Sequence, residues 1–323
     1  MFSPIEISEL RFGKLAIDKS ASITIVSHAH ADHSNFSKHS EIISSKETLE
    51  LLKVNKSIAN NCRVLSFGKK EKLNELEFSL HNAGHILGSA QVLIDSLDIA
   101  VTNDFKLQDS LVTNAPEILQ AKNLIIETTF ALPSYVFPKR EIIYEEMSRW
   151  CRKKLKEDNF IVLVGYALGK AQELTAFCNE YLNIAPLVHE AIFKNNEVYK
   201  KFGIKIGEYL LLNHNFNESQ ILILPPTIAT PHIMQALKFS VNKKLTSAIA
   251  SGWPYRRHYD INFPLSDHAD FNQLVEYVLN SNARNVYTMH GFAKEFASIL
   301  RRRYNINARP INETQRAIVD YLE

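Results

Sequence analysis

The segment His28-Ala29-His30-Ala31-Asp32-His33 places three imidazoles and one carboxylate within six residues, and it constrains the fold more than any other part of the sequence. Imidazole and carboxylate groups are the usual protein ligands of zinc, manganese and iron, and catalytic sites leave a coordination position to water. The preceding apolar run, residues 23–27, predicts a buried strand whose carboxyl end carries the ligands, as in the sites of α/β folds. The segment therefore predicts a water-activating metal site. The alternative is a solvated polar loop, or a His-rich tract that holds metal without chemistry.

The composition is that of an ordinary globular protein with material for two domains or one large one. Hydrophobic residues make up 46% of the 323 residues and charged residues 22%, which argues against disorder. A formal net charge of +2 excludes a protein that coats nucleic acid through a generally basic surface. Any nucleic-acid contact must come from local patches, and the two candidates, residues 152–156 and 301–303, are interpreted as solvated helix ends rather than phosphate tracks.

Cysteine usage and the N-terminal sequence predict a cytoplasmic protein with no membrane partner. The three cysteines, Cys62, Cys151 and Cys178, form no CxxC pair and leave an odd count, so we expect reduced, mostly buried thiols. No stretch approaches the roughly eighteen apolar residues that a bilayer span requires. The first residues also lack the basic and apolar regions of a signal peptide.

Short strands dominate the sequence up to residue 133. They are predicted at residues 76–80, 90–94 and 99–102. A helix is predicted to begin near Ser44, because Ser44 and Glu47 have the spacing of a capping box.

Residues 134–261 have a different pattern, in which helices and strands alternate. The first helix carries Ile142, Ile143, Met147 and Trp150 on one predicted face, and strands are predicted at residues 160–164, 221–224 and 248–250. This alternation predicts a parallel α/β sheet. A helix at 271–279 and a strand at 285–289 then return to the earlier pattern. We therefore expect one domain made of residues 1–133 and 262–323, with residues 134–261 inserted between its parts.

Further metal-type residues stand in tight turns or directly after predicted strands: His85, Asp104 and His290. Alone, each would be interpreted as a hydrogen-bonded core or turn residue. With the opening segment they make seven candidate ligands, namely His28, His30, Asp32, His33, His85, Asp104 and His290. Seven ligands suit two metals that share a carboxylate and a bridging hydroxide, and such a pair activates water and neutralises a phosphorane-like transition state. The sequence thus predicts phosphodiester hydrolysis.

These residues resemble the motifs of the metallo-β-lactamase fold. His28, His30, Asp32 and His33 match its HxHxDH signature, His85 and Asp104 match the next two motifs, and Asp18 resembles its first acidic residue. Glu127, His268 and His290 extend the resemblance to the β-CASP nuclease group. Segments 127–133, 166–172, 251–253 and 265–270 are similar to the ligase-associated DNA exonuclease family, which is related to the Artemis-type repair nucleases.

The resemblance covers nearly the whole sequence and implies both a fold and a function. The implied fold is an α/β protein, a metallo-β-lactamase αββα sandwich with an inserted α/β β-CASP domain. The implied function is a DNA exonuclease in repair that uses two divalent metal ions, zinc or manganese, on single-stranded DNA, with a DNA ligase as a candidate partner. One departure is Asn103, where a glycine is usual; asparagine is the best-tolerated non-glycine residue if this position requires a positive φ.

The resemblance also implies roles for individual residues. The first metal is expected on His28, His30 and His85, and the second on Asp32, His33 and His290, with Asp104 bridging and Asp32 orienting the hydroxide. His290 has an alternative role as a structural turn residue before Gly291.

His268 is expected to donate a proton to the leaving oxygen, with Glu127 holding its tautomer and raising its pKa. Alternatively, Ser266 to His268 form a helix N-cap and Glu127 is a strand-end charge without function. Lys106, Lys170 and Ser266 are candidate substrate-binding residues, with the two lysines on backbone phosphates, although a lysine is usually a solvated surface residue.

Three other functions stay open at this point. An RNA-processing nuclease of the same group, similar to mRNA 3′-end-processing enzymes, would use the same chemistry and recognise 2′-hydroxyls. A small-molecule metallo-hydrolase, such as a thioesterase or lactonase, is disfavoured by the insertion and by His268. A noncatalytic binding protein would be expected to have lost ligands, and none of the motif residues is missing.

Overall fold

The computed structural model describes residues 5–6, 10–56, 58, 61–212, 216–254 and 259–311. These residues form two compact units. The first unit comprises the described parts of Met1–Leu107, Ala115–Val136 and His268–Glu323, and the second unit those of Gln108–Asn114 and Phe137–Asp267.

The described residues contain the following elements, numbered in chain order. The strands are β1 (Ile5–Glu6), β2 (Arg11–Phe12), β3 (Leu15–Ile17), β4 (Ile23–Ile25), β5 (Glu41–Ser44), β6 (Cys62–Val64), β7 (Lys70–Leu73), β8 (Leu76–Asn82), β9 (Ala90–Ile94), β10 (Ile99–Val101), β11 (Asn123–Glu127), β12 (Asn159–Val164), β13 (Leu187–Val188), β14 (Leu210–Leu211), β15 (Ile221–Leu224), β16 (Lys244–Ala250), β17 (Ile261–Phe263), β18 (Asn285–Met289) and β19 (Asn307–Pro310). The helices are α1 (Lys46–Asn55), α2 (Arg140–Lys156), α3 (Lys170–Phe177), α4 (Glu190–Lys201), α5 (Pro231–Ser240), α6 (Phe271–Asn280) and α7 (Ala293–Tyr304).

The first unit is built on two mixed sheets. One has six strands in the order β1-β2-β3-β4-β5-β6, with β3 to β6 mutually parallel. The other has seven strands in the order β19-β18-β11-β10-β9-β8-β7. In the second sheet β18 lies beside β11 in parallel register, so the late part of the sequence adds strands to a sheet that the early part begins.

Strand β11 shows how the hydrophobic core of the first unit is shared. Successive side chains of a strand point to opposite faces. Ile125 belongs to a cluster that contains residues of both sheets, including Ile43, whereas Leu124 and Ile126 belong to a second cluster with helix residues such as Leu274. Each such side chain, fully buried, contributes about 1.5–3 kcal/mol of hydrophobic free energy. The sheets and helices are therefore held by apolar packing on both faces of β11.

The second unit contains a six-stranded sheet in the order β14-β13-β15-β12-β16-β17, in which every strand pair is parallel. All six residues of β12 are buried, as expected for a central parallel strand. The parallel α/β sheet predicted for the middle of the sequence is confirmed.

Three local predictions are wrong. Helix α1 is capped by Ser45, whose Oγ accepts from the Thr48 N–H at 3.1 Å, because Ser44 is the last residue of β5. Helix α6 is capped by Asp270 rather than by residues 266–268; its carboxylate accepts from the Gln273 N–H at 3.0 Å. Ile142 is 46% exposed, so it does not share the buried face of α2.

Several other sequence features have the expected positions. The thiols of Cys151 and Cys178 are buried and that of Cys62 is half-buried, and none of the three forms a disulfide within the described residues. The two basic patches lie in the last turns of α2 and α7, where cations interact favourably with the helix dipole. Among the described residues, no helix combines the length and hydropathy that a bilayer span requires.

Candidate metal centre

Strand direction brings the predicted ligands of the first unit to one edge of its seven-stranded sheet. Strands β8 and β10 run in the same direction because each pairs antiparallel with β9, and β10, β11 and β18 are mutually parallel. His85 and Asp104 follow β8 and β10, Glu127 ends β11, and His290 follows β18. The carboxyl ends of these strands therefore deliver four polar side chains to one edge.

His28 reaches this edge from the other sheet of the first unit. It follows β4 by three residues, and the Ala90 N–H at the start of β9 donates to the Ser27 carbonyl at 2.9 Å. That bond ties the end of β4 to the edge where β8 ends. The His28 side chain is fully buried, and its Nδ1 lies 2.9 Å from the Ser27 Oγ.

Four ligand atoms, from His28, His30, His85 and Asp104, lie within 4.8 Å of one another. The Nδ1 of His30 is 3.1 Å from the Nε2 of both His28 and His85, and Asp104 Oδ2 is 3.5 Å from His28 Nε2 and 3.8 Å from His85 Nε2. A tetrahedral ion with bonds of about 2.0–2.1 Å holds its ligand atoms about 3.3 Å apart. The donor set therefore fits a divalent metal ion in both chemistry and spacing.

His33 forms a second donor group beside the first. Its Nε2 lies 3.3 Å from Asp104 Oδ2 and 3.6 Å from Asp32 Oδ2, and its Nδ1 lies 2.8 Å from Asp18 Oδ2. The carboxylate of Asp104 thus faces both His28 and His33. This is the position that a bridging ligand would need.

Asp18 is a site residue that the sequence indicated only through a family resemblance. It follows β3 with a φ of +54°, and its carboxylate accepts from the Ser27 N–H at 2.7 Å and from the Ser27 hydroxyl at 2.6 Å. A carboxylate that accepts from the Nδ1–H of a histidine fixes the tautomer whose Nε2 binds metal. Asp18 therefore orients His33 toward Asp104. Its position directly after an apolar strand is the sequence feature that could have identified it as a site residue.

Burial and mutual charge set the protonation of the donor groups in the metal-free state. Burial, reinforced by His33, holds the pKa of His28 well below its usual value. Burial also lowers the pKa of His33, but the carboxylates of Asp104 and Asp18 outweigh it and raise that pKa well above the usual range. Burial opposes ionisation of Asp104, yet His33 and His268 outweigh it and hold its pKa well below the usual value. An ionised carboxylate beside neutral His28 is what a cation requires.

His268 and Glu127 form a hydrogen-bonded pair next to these donors. The Nδ1–H of His268 donates to Glu127 Oε1 at 3.0 Å, and Glu127 also accepts from the Phe105 and Thr129 N–H groups at 3.2 and 3.1 Å. Glu127 is fully buried, whereas the His268 side chain is 24% exposed. The ring of His268 lies 4.7 Å from that of His85. The buried carboxylate is therefore positioned to orient a more accessible imidazole.

Two expected ligands, His290 and Asp32, are close to His33 but are less buried or less closely placed than the other donors. His290 has its ring centroid 5.8 Å from that of His33, and the side chain of Asp32 is 80% exposed. His290 adopts a φ of +61° before Gly291, where a Cβ would meet the Thr128 carbonyl oxygen at 2.3 Å. The turn geometry agrees with a structural role for His290 as well as with a ligand role. The ligand roles of His290 and Asp32 therefore stay predictions.

Asn103 confirms the expectation of a positive φ before the candidate bridging aspartate. Its φ is +49°, and its side-chain N–H donates to the Ala90 carbonyl at 2.9 Å. Asp18 and His290 share this left-handed conformation, which costs about 1–3 kcal/mol for each non-glycine residue. Such strain is typical of functional sites.

The predicted substrate-binding residues have protein partners. The ammonium of Lys106 donates to the carbonyl oxygens of Gly84 and His85, the latter at 3.1 Å, and this lysine is 2% exposed. In the second unit, Lys170 is equally buried against carboxylates and the Ser266 carbonyl accepts from Arg140. The expected phosphate contacts of the two lysines and the substrate role of Ser266 stay predictions.

Comparison with curated proteins identifies relatives, whereas no family model matches the sequence. The chain is 35% identical over 285 residues to a probable DNA ligase of Opitutus terrae, a match that covers 87% of this chain and 28% of the relative. It is 27% identical over 220 residues to an RNase J-like protein of Methanocaldococcus jannaschii, covering 61% of this chain and 52% of the relative. It is 24% identical over 310 residues to the DNA cross-link repair protein SNM1 of Arabidopsis thaliana, covering 85% of this chain and 62% of the relative.

The chain spans less than a third of the ligase relative and between about half and two thirds of the other two. These relatives, together with a cleavage and polyadenylation specificity factor of Drosophila melanogaster, share one nuclease group. The chain belongs to the β-CASP group of metallo-β-lactamase nucleases.

Proposed function

We propose that this chain is a metal-dependent phosphodiesterase that acts as an exonuclease on single-stranded DNA in DNA repair. One observation carries the proposal: the Asp104 carboxylate lies among three histidines, within 4.8 Å of a separate Glu127–His268 pair. The first group fits a metal ion, and the second fits a proton donor. Hydrolysis of a phosphodiester needs both.

The proposed metal content is two divalent ions, zinc or manganese. His28, His30 and His85 would hold one, Asp32, His33 and His290 the other, and Asp104 would contact both. Divalent metals at such a site lower the pKa of water and neutralise charge that develops on phosphorus. Asp18 holds His33 in the tautomer that leaves Nε2 for a metal, and the Lys106 ammonium binds the carbonyls of the loop that carries His85.

His268 is the proposed general acid. Its Nδ1–H is committed to Glu127, so Nε2 is the ring nitrogen that would give a proton to the leaving oxygen. The proton is needed because an alkoxide of deoxyribose is a poor leaving group. The two N–H donors on Glu127 keep that carboxylate fixed while the imidazole changes its protonation.

The proposed fold detail is an αββα sandwich interrupted by a β-CASP domain. The cluster that contains residues of both sheets in the first unit and the parallel sheet of the second unit support this arrangement. We propose residues 1–133 and 262–323 as the two parts of the catalytic domain and residues 134–261 as the insertion, whereas the second compact unit runs from Phe137 to Asp267 and also includes Gln108–Asn114. The cytoplasmic location likewise stays a proposal.

DNA is favoured over RNA because of the extent of the matches. The two relatives with DNA in their names align with 87% and 85% of this chain, and the RNase J-like protein with 61%. The probable DNA ligase is also much longer than the matched region, which supports a DNA ligase as a functional partner. An RNA-processing nuclease is the second candidate, favoured by the RNase J-like relative.

A single set of digests tests this function. Matched single-stranded DNA and RNA oligonucleotides, labelled at the 5′ or the 3′ end, are incubated with chelator-treated protein to which zinc, manganese or magnesium is restored separately. We expect stepwise degradation of DNA with zinc or manganese, and none by the Asp104→Ala variant. Asp158→Ala, at an exposed carboxylate paired with Lys243, is the matched control and should cleave normally.

The outcomes separate the alternatives. Preference for the RNA oligonucleotide would replace the DNA proposal with the second candidate. Turnover of small esters without cleavage of either polymer would indicate a small-molecule hydrolase. Full DNA cleavage by the Asp104→Ala variant would exclude the proposed centre.

A further inference from the structure

A buried charge network lies in the second unit, formed by Arg140, Tyr144, Lys170, Glu173 and Asp267. Arg140 Nε donates to Glu173 Oε1 at 3.0 Å, and Lys170 Nζ donates to Glu173 Oε2 at 2.6 Å and to Asp267 Oδ1 at 2.8 Å. The Tyr144 hydroxyl also donates to Glu173. Arg140, Lys170 and Glu173 are each at most 4% exposed. Two cations and the Glu173 carboxylate are thus buried together, and the Asp267 carboxylate beside them is 13% exposed.

Such a network is not expected to increase the free energy of unfolding above that of an apolar core. Removing charges from water costs several kcal/mol per ion, and apolar residues of similar volume often serve a fold as well or better. What a satisfied buried network supplies is a fixed arrangement of the segments that it joins. Its attachment points therefore indicate what it does.

The buried charge network joins two helix starts to the last residues of the second unit. Arg140 is the first residue of α2, and Lys170 and Glu173 lie in the first turn of α3. Arg140 Nη1 donates to the carbonyl oxygen of Ser266, while Lys170 holds the carboxylate of Asp267. The network thus binds this segment through both its backbone and a side chain.

The next residue along the chain is His268, where the first unit resumes. Within that unit, the Ala269 N–H donates to the Phe105 carbonyl at 2.6 Å and the His268 ring is held by Glu127. One peptide bond separates His268 from Asp267. Within the second unit the network therefore holds the chain up to Asp267, and within the first unit Glu127 and Phe105 hold His268 and Ala269.

We propose that the buried charge network is a positioning device for His268, with Arg140, Lys170 and Glu173 as positioning residues for the proposed general acid. This inference rests on the proposed function. It assigns the two predicted substrate-binding residues of the second unit, Lys170 and Ser266, to holding the acid rather than to contacting phosphate. In the step concerned, a water molecule gives one proton to the solvent and adds to phosphorus as hydroxide, the bond to the leaving oxygen breaks, that oxygen takes the proton from His268 Nε2, and the imidazole regains a proton from the solvent.

The test exploits leaving groups that differ in their need for a proton. Single-stranded DNA releases an alkoxide-type oxygen, whereas the p-nitrophenyl ester of thymidine 5′-phosphate releases a stable phenolate without an acid. The wild type, Arg140→Met, Glu173→Gln and His268→Ala are assayed on both substrates with saturating manganese. Lys243→Met, which breaks an exposed ion pair of the same unit, is the matched control and should behave as the wild type.

We expect His268→Ala to lose about 10²–10⁴-fold on DNA, the usual contribution of a general acid, and to change little on the nitrophenyl ester. Arg140→Met and Glu173→Gln should show the same selective loss with smaller magnitude. Adding Arg140→Met to His268→Ala should then cause no further loss on DNA, because residues that act through one group are not additive. Arg140→Lys, which keeps the charge, should recover part of the DNA activity.

Other outcomes overturn the inference. An equal loss on both substrates would indicate general structural damage, and unchanged DNA cleavage by folded Arg140→Met or Glu173→Gln would show that the network does not position the acid. Far-ultraviolet circular dichroism establishes which variants are folded, and Arg140→Lys serves if Arg140→Met is not. If the wild type cleaves neither substrate, the proposed function itself has failed, and this result is distinct from the others.

Discussion

The donor groups of the first unit and the buried charge network of the second are both dense clusters of buried polar side chains, but they are completed differently. In the donor groups, imidazole nitrogens and the Asp104 carboxylate oxygen face one another at 3.1–3.8 Å. In the network, the hydrogen bonds join donors to acceptors, as between Lys170 and Glu173. The first cluster gathers ring nitrogens and a carboxylate oxygen that a metal ion could bind, whereas the second pairs its carboxylates with the side chains of an arginine and a lysine. This difference in partners distinguishes the proposed metal site from the proposed positioning site.

The largest expected effect tests the first half of this comparison. Asp104→Asn keeps the shape of the side chain but removes the charge that faces His28 and His33. We expect loss of at least one bound metal ion and a fall in nuclease activity of about 10³-fold or more. Inductively coupled plasma mass spectrometry and initial-rate assays measure the two quantities. Unchanged metal content would mean that Asp104 is not a ligand.

The second prediction concerns stability. Glu173→Gln leaves Arg140 and Lys170 buried beside a neutral amide, and breaking a buried ion pair costs about 3–5 kcal/mol. Urea unfolding should show this loss, and saturating manganese should not reverse it, because the network holds no metal. Restoration of stability by manganese would contradict the distinction between the clusters.

A third, smaller effect is expected at Asp18. Asp18→Asn removes the acceptor that orients His33 through Nδ1, and loss of such a partner typically lowers metal affinity about 10–100-fold. Competition with a chromophoric chelator measures the affinity. The Asp98→Asn variant, which alters an exposed carboxylate paired with Lys122, provides the control. Equal affinities in the two variants would remove the proposed role of Asp18.

The smallest effect is expected where charges are exposed. Lys243→Met breaks the ion pair with Asp158, whose side chain is 74% exposed, and such surface pairs contribute about 0–1 kcal/mol. Urea unfolding of this variant should therefore overlay the wild type closely. A loss as large as that of Glu173→Gln would show that burial does not distinguish the network from surface pairs.

The proximity of His28, His30, His85 and Asp104 could be predicted from the sequence because it follows from local order. An apolar strand followed directly by a ligand, as at residues 23–28 and 285–290, needs only the pairing of parallel strands to bring ligands to one edge. The positive φ of Asn103 was likewise predictable, since asparagine tolerates that conformation.

The buried charge network was not predictable, because its members are far apart in the sequence. Arg140, Glu173 and Asp267 look like ordinary surface charges until tertiary structure brings them together. Lys170 was interpreted as a phosphate contact, since a lysine at a helix start does not reveal which oxygen it binds. The helix cap was assigned to Ser44 instead of Ser45 because the sequence does not show that Ser44 still belongs to β5.

The parallel pairing of β18 with β11 has a consequence for the biosynthesis of the enzyme. His28, His85 and Asp104 are synthesised early, but His268 and His290 follow the whole second unit. A nascent chain that has folded only its early strands contains these donor groups but lacks His268, the histidine that Glu127 binds. Under the proposed mechanism, hydrolytic competence therefore requires that the second unit has been synthesised and that β18 has taken its place beside β11.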